Sequence, residues 1–303
     1  MLTRYHILER RVVEAQDEAA PVSVYVAPDD LEVRHLVDTV GIDEHTLRSA
    51  LDPDELPRLE LAPSHVALIL KRPLSYTPSA SLSFKVSSAG IFLFPARLVL
   101  VLPEDVPLFD SAQQLRLCTP AALLVHVLHR FITHFREHLK VISLIADELE
   151  GELPQAASSK ALVSAFTLTK SLVHYQDALA ADVDVLRELA RHAARVGLSA
   201  DEVALLEDAI IESLQCHNQA AGHGVMLRRL LEARAAIVAH RVEVRLQTLT
   251  RAFVALTVPA LVLGLFSTRL ATPFLDEPWG LGMVLGLAII SAVGVLVAWP
   301  RRP

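Results

Sequence analysis

Apolar residues follow three successive patterns along this 303-residue chain. Up to about residue 118, short apolar runs alternate with polar turns. Strands are predicted at Val22–Val26, Val66–Lys71, Gly90–Phe94 and Arg97–Leu102, the last two joined as a hairpin across Pro95-Ala96. Helices are predicted at Asp29–Asp38 and Asp43–Leu51, each opened by an acidic residue that suits the positive end of the helix dipole. The segment from Asp52 to Pro63 holds Pro53, Pro57 and Pro63 and is predicted to be irregular. A mixed α/β domain results, and it contains no phosphate-binding glycine loop or nucleophile elbow.

From Thr119 the spacing becomes helical. Thr119 can cap a helix with Pro120 at its first position, and apolar residues recur at helical intervals to about Leu153, where Pro154 ends the run. A second helix is predicted from about Ala157 to Arg195, stopping at Gly197. Ser199-Ala200-Asp201-Glu202 is a capping-box sequence, so a third helix starts there. No proline interrupts Asp201–Val258, and only Gly222 and Gly224 weaken the pattern. Continuous to Phe266, this helix is on the order of 100 Å long. Such a rod needs a partner. From Leu231 the positions Leu231, Ala235, Val238, Val242, Leu246 and Leu249 fall near a seven-residue repeat, which calls for a second copy or for the preceding helices.

The C-terminus is the most apolar part. Trp279–Trp299 contains no ionisable side chain, crosses a hydrocarbon core of about 30 Å as a helix, and is bracketed by tryptophans at interface depth. Ala252–Phe266, bounded by Arg251 and Arg269 and interrupted by Thr257, Pro259 and Gly264, is predicted to be the first of two spans. Arg301 and Arg302 follow the second span, while Arg241, Arg245 and Arg251 outweigh Glu243 before the first. Both chain ends are therefore expected in the cytoplasm. The connection Leu270–Pro278, holding Asp276 and Glu277, is expected outside. MLTRYHILERRVVEAQ carries charges throughout and does not read as a signal peptide. The division expected is 1–118 for the α/β domain, 119–250 for the helical arms and stalk, and 251–303 for the transmembrane hairpin.

Composition fits this division. Hydrophobic residues are 52% of the chain and the formal net charge is -7, which does not suggest a nucleic-acid partner. Cys118 and Cys216 are too few and too far apart for a disulfide framework. No nucleophile–base pair or cofactor loop can be assembled, so an enzyme is not expected.

One stripe on the long helix gathers its hydroxyl and small residues. Alternate steps of three and four give Glu243, Leu246, Thr250, Phe253, Thr257, Ala260, Gly264 and Ser267, leaving Val254, Leu256, Leu261, Leu263 and Leu265 for other faces. Small and polar residues in a span either let helices approach closely or line a water-filled path, and spacing alone favours packing.

Taken together, the order of these elements resembles the CorA-type divalent metal ion transporter family over nearly the whole chain. The local marks are GIDEHTLRSALDPDELPRLE and GIFLFPARLVLVLPE, then Leu249-Thr250 at the entry to the first span and Pro259, Gly264, Leu265 and Phe266 toward its outer end. The resemblance implies an α+β cytoplasmic domain, helical arms, and a stalk helix continuous with the first of two transmembrane helices. It also implies a funnel-shaped homopentamer in the bacterial-type inner (plasma) membrane, its pore lined by the stripe. The divalent metal ion is then substrate and possible regulator, magnesium, zinc, cobalt and nickel not being separable, and no other cofactor is expected. Where the family has Gly-Met-Asn, a gap-free count gives Ser267-Thr268-Arg269, so the signature is absent. Ser267 and Thr268 hydroxyls can accept from a hydrated cation; Arg269 cannot. The outer mouth is thus expected to comprise Thr268 and Arg269 with Asp276 and Glu277, the guanidinium paired with those acids or turned toward headgroups. The alternative is a non-conducting, membrane-anchored metal sensor or scaffold of the same fold.

The thirteen histidines invite a metal reading. His134 and His138 stand four apart on one helix face, with His126 and His129 around the helix from them. Cys216, His217 and His223 form a second group, and Asp208 occupies a stalk position where the family has a metal-sensing aspartate. Neither histidine group completes a zinc ligand set, so ordinary helix histidines are the commoner explanation.

Overall fold

The structure, a computed structural model, describes residues 1–8, 11–17, 19–76, 82–109, 119–152, 159–267 and 279–298. By contacts the chain forms two units, Met1–Leu231 and Glu232–Pro303.

The first unit is built on a seven-stranded sheet. Its strands are β1 (Leu2–Leu8), β2 (Arg11–Ala15), β3 (Val22–Val26), β4 (Arg58–Leu61), β5 (Val66–Pro73), β6 (Val86–Leu93) and β7 (Leu98–Leu102), in the order β2-β1-β3-β7-β6-β5-β4. Only β3 and β7 pair in parallel; every other pair is antiparallel. The β6–β7 hairpin forms where Pro95-Ala96 predicts it, closed by the Phe94 amide donating to the Arg97 carbonyl at 2.8 Å.

Alternation sorts the central strands between two cores. Leu68, Leu70, Ile91, Leu93, Leu98 and Leu100 pack with the arm helices, whereas Ala67, Ile69, Phe92, Phe94, Val99 and Val101 pack under the short helices on the other face. Both faces being covered explains why these strands are nearly unbroken apolar runs. The short helices are α1 (Asp30–His35, continuing through a π-turn at Leu36–Val40) and α2 (Glu44–Leu51). Asp29 and Asp43, the acidic residues expected to open these helices, stand one residue before them as side-chain caps, Asp29 in a full capping box with Glu32. α2 lies so close to β6 that a Cβ on Gly90 would meet the Ala50 Cβ at 2.6 Å. Only glycine fits there.

The expected irregular Asp52–Pro63 segment is corrected by β4. It is an edge strand, so Pro57 and Pro63 flank its four residues without breaking a ladder on both sides. The hairpin β1–β2 has no counterpart among the predicted strands. Its exposed side carries the charges that hide the alternation, and among its described residues Val12 alone is buried.

The arms are α3 (Pro120–Glu152) and α4 (Ser159–Arg191). α4 does not run on to Arg195: it breaks at His192, and a short α5 (Ala193–Val196) follows, closed by Gly197 at φ 82°. The stalk helix α6 (Ala200–Ser267) is continuous through Gly222 and Gly224 and contains Pro259. At its start the capping box is present, the Ser199 amide donating to Glu202 Oε2 at 2.7 Å and the Glu202 amide to Ser199 Oγ at 3.3 Å. Glu202 Oε1 also accepts from Thr119 Oγ1 at 2.7 Å, tying the start of α6 to the start of α3. The last described element is α7 (Gly280–Ala298).

Candidate functional site

Only one described helix is long and apolar enough to cross a membrane, α6, and its apolar stretch is not buried inside the protein. α7 is a shorter apolar helix of 19 residues without an ionisable side chain. At 1.5 Å per residue that is about 28 Å, close to the hydrocarbon thickness.

Shielding falls on one stripe of each helix in the second unit. On α6 it takes in the half-buried Val254, Ala255, Val258 and Val262, and on α7 Gly280, Val284 and Ala288, which are buried, with Ser291 and Val295 half-buried beyond them. These are steps of three and four, the spacing of a helix contact, and three of the α7 residues are small. At about 100° per residue the shielded face of α6 lies nearly opposite the stripe that runs from Glu243 to Ser267. On that stripe Thr250, Phe253, Ala260 and Gly264 are exposed, Phe253 by 69%, and Thr257 is half-shielded. The stalk part is barer still: Ala235, Val238, Val242, Leu246 and Leu249 are all exposed, so among the described residues nothing covers the seven-residue repeat beyond Leu231.

The stripe's hydroxyls have a defined polarity. Thr250 Oγ1 donates to the Leu246 carbonyl at 2.8 Å and Thr257 Oγ1 to the Phe253 carbonyl at 2.6 Å. Each proton is spent within the helix, leaving the oxygen lone pairs to accept from outside. Below them Glu243 is exposed, its Oε1 accepting from Gln247 Nε2 at 3.3 Å. Arg241 and Arg245, two residues to either side, point across the helix from it. Acid is on the stripe and base is off it. Pro259 has no amide to offer Ala255, so one backbone carbonyl within the span loses its intrahelical donor.

The mouth residues Thr268, Arg269, Asp276 and Glu277 lie outside the described residues, as do Cys118, Pro154, Trp299, Arg301 and Arg302, and the Ser267 side chain.

Among the described residues no three His, Cys, Asp or Glu side chains converge as a metal site. Cys216 is buried in the arm core, where burial pushes its thiol up to about 11 and keeps it protonated. His217 and His223 are half-exposed beside it and complete no set, and Asp208 is exposed. His134 and His138 do meet, their ring centroids 4.5 Å apart, but His138 Nδ1 is engaged with the Tyr175 hydroxyl at 2.7 Å. Burial drives both imidazoles down to about 4, so they stand neutral at neutral pH. The buried pair Lys71 and Asp182, and the fully buried Arg72 held by Glu104 at 3.0 Å, are polar features of the core that apolar periodicity does not reveal. A basic residue within a strand otherwise all apolar is the signal that marks them.

The profile of the CorA-like Mg2+ transporter protein family matches residues 24–300. The chain belongs to that family. It is 22% identical over 273 residues to the cobalt/magnesium transport protein CorA of Methanocaldococcus jannaschii, covering 87% of this chain and 84% of that protein. The complete structure of the CorA magnesium transporter from the same organism superposes with a TM-score of 0.83 at 19% identity, over 100% of this chain and 97% of that one. The full-length CmaX protein follows at a TM-score of 0.74 and 16% identity, over 97% and 96% of the two chains. Fold likeness therefore extends from the sheet through α6 to α7, and the family is one of membrane transporters.

Proposed function

We propose that the chain moves divalent cations across a membrane as a homo-oligomer, most simply a pentamer, with the α6 stripe lining the path and α7 outside it. The observation that carries this reading is the geometry of α6. Its shielded face and its hydroxyl stripe lie on opposite sides, so a ring of copies with α7 outermost turns Glu243, Thr250, Thr257 and Gly264 to the axis. Lone pairs directed at the axis suit water in the hydration shell of a cation, and Glu243 would collect cations at the cytoplasmic entrance. Leu246 and Phe253 would narrow the path to an apolar constriction that gates by dewetting. Mg2+ and Co2+ are the first ions to test, because the archaeal relative is named for them. Zn2+ and Ni2+ come after.

The second reading, a non-conducting sensor or scaffold, is favoured by one feature: Ser267-Thr268-Arg269 stands where the family carries Gly-Met-Asn. A ring of guanidinium groups at the mouth would repel cations unless Asp276 and Glu277 neutralise it. Flux into vesicles containing the purified protein separates the two. Under the transport reading, wild type takes up Mg2+, Arg269→Asn preserves or raises the rate, and removing Asp276 and Glu277 together lowers it. That loss shrinks at high salt, since the Debye length falls to about 3 Å at 1 M. Should wild type and Arg269→Asn both assemble normally and pass no divalent ion, the scaffold reading stands instead.

A further inference from the structure

A cavity of about 640 Å³ opens in the first unit between the turn at Pro53–Pro57, the start of β6 and one face of α4. That is the size of a pocket for a small organic ligand. Three elements supply it with lysines: Lys71 from β5, Lys85 just before β6, and Lys170 from α4. Two carboxylates, Asp54 and Asp177, line the same space. Among the described residues none of these five charges is ion-paired. The Lys71 ammonium is held in place by the Pro53 carbonyl at 2.5 Å and Ser88 Oγ at 3.2 Å, both neutral, and Lys71 is only 8% exposed.

Oppositely charged side chains that close on one another give a salt bridge; here they stand around an open cavity instead. A ligand that carries both signs answers all five. Phosphate oxygens take the lysines, Lys serving as a point-charge phosphate binder, while Mg2+ is held in proteins by one or two carboxylates together with substrate phosphates. At the rim Phe166 lies one helical turn before Lys170, with 67% of its surface exposed. An exposed ring beside a phosphate site is a platform on which a nucleobase stacks.

We infer that this cavity binds a Mg2+-complexed nucleoside polyphosphate, with Lys71, Lys85 and Lys170 on the phosphates, Asp54 and Asp177 on the metal side, and Phe166 under the base. The site lies wholly in the sheet-and-arm unit and does not depend on ion conduction. A protein that binds nucleotide and moves no ion leaves the inference intact.

Calorimetry on the full-length protein in mild detergent tests it, with ATP, ATP plus Mg2+, and Mg2+-tripolyphosphate as probes. Wild type is expected to bind Mg2+-ATP saturably and to bind ATP more weakly when the metal is chelated. Lys85→Ala and Lys170→Ala alter exposed side chains and should each weaken Mg2+-ATP roughly tenfold. Phe166→Ala should weaken Mg2+-ATP and leave Mg2+-tripolyphosphate unchanged. Absence of saturable Mg2+-ATP binding to wild type overturns the inference, as does an affinity unmoved by Lys85→Ala and Lys170→Ala combined in a protein of unchanged melting temperature. Equal affinity for ATP with and without Mg2+ removes the role given to the two acids and overturns it as well.

Discussion

Asp182 shows how a single side chain can be fixed by backbone rather than by charge. Its Oδ1 accepts from the Lys71 amide at 2.8 Å across the α4–sheet contact, and burial raises its carboxyl well above the usual range, which favours the neutral acid. Asp182→Asn retains an acceptor for that amide and should leave stability nearly unchanged. Asp182→Ala strands a buried N–H and should cost roughly 1–3 kcal/mol by chemical denaturation. The neutral His134–His138–Tyr175 cluster sets a pH dependence whose sign follows from the same desolvation. Arg72, Arg130, Glu104 and Glu137 are the charged groups that act on it. Both folded values lie near 4, below the ordinary histidine value of 6.5, so protons bind the unfolded chain first. Stability should therefore be full above about pH 6.5 and decline toward pH 4. Melting curves across that window should show a shallower decline in His138→Leu than in wild type. None of this was legible in the sequence, because which histidines are buried depends on how α3 meets α4 and the sheet.

Elements were read more fully than residues. The caps at Asp29, Asp43 and Ser199, the β6–β7 hairpin and the length of α6 all follow from local signals, namely a cap residue, a proline turn and an uninterrupted helical spacing. What local signals did not yield was the sheet's edges. β2 and β4 lie there and β1 pairs β2, so charge and proline are tolerated because one side of an edge strand answers to solvent. For α6 the stripe was legible from spacing, while the face shielded opposite it required the structure. Cysteines introduced singly along the span give a direct comparison. Positions Thr250, Thr257 and Gly264 should react with a water-soluble thiol reagent, and Leu256 and Leu263 should not. Uniform labelling around the helix would withdraw the axial placement of the stripe.

For the whole molecule, the pressing question is what covers α6. Leu246, Leu249, Phe253, Leu256, Leu261 and Leu265 are each more than half exposed in one copy of the chain, an apolar area that lipid covers only within the span. The stalk repeat from Val238 to Leu249 lies before it. A second copy is the natural cover there, and light scattering in mild detergent should return a multiple of the 33.2 kDa chain, five copies being expected. A monodisperse monomer would remove both the assembly and the central path. The threonine geometry has a further consequence for such a path. Protons travel through water by hopping along chains of groups that donate and accept in turn. Thr250 and Thr257 have their hydrogens committed to Leu246 and Phe253, so they can receive a hydrogen bond and cannot pass one on. Such hydroxyls add no relay of their own, so in a path lined by them proton hopping would depend on the water column alone and would stop wherever Leu246 and Phe253 leave that column broken.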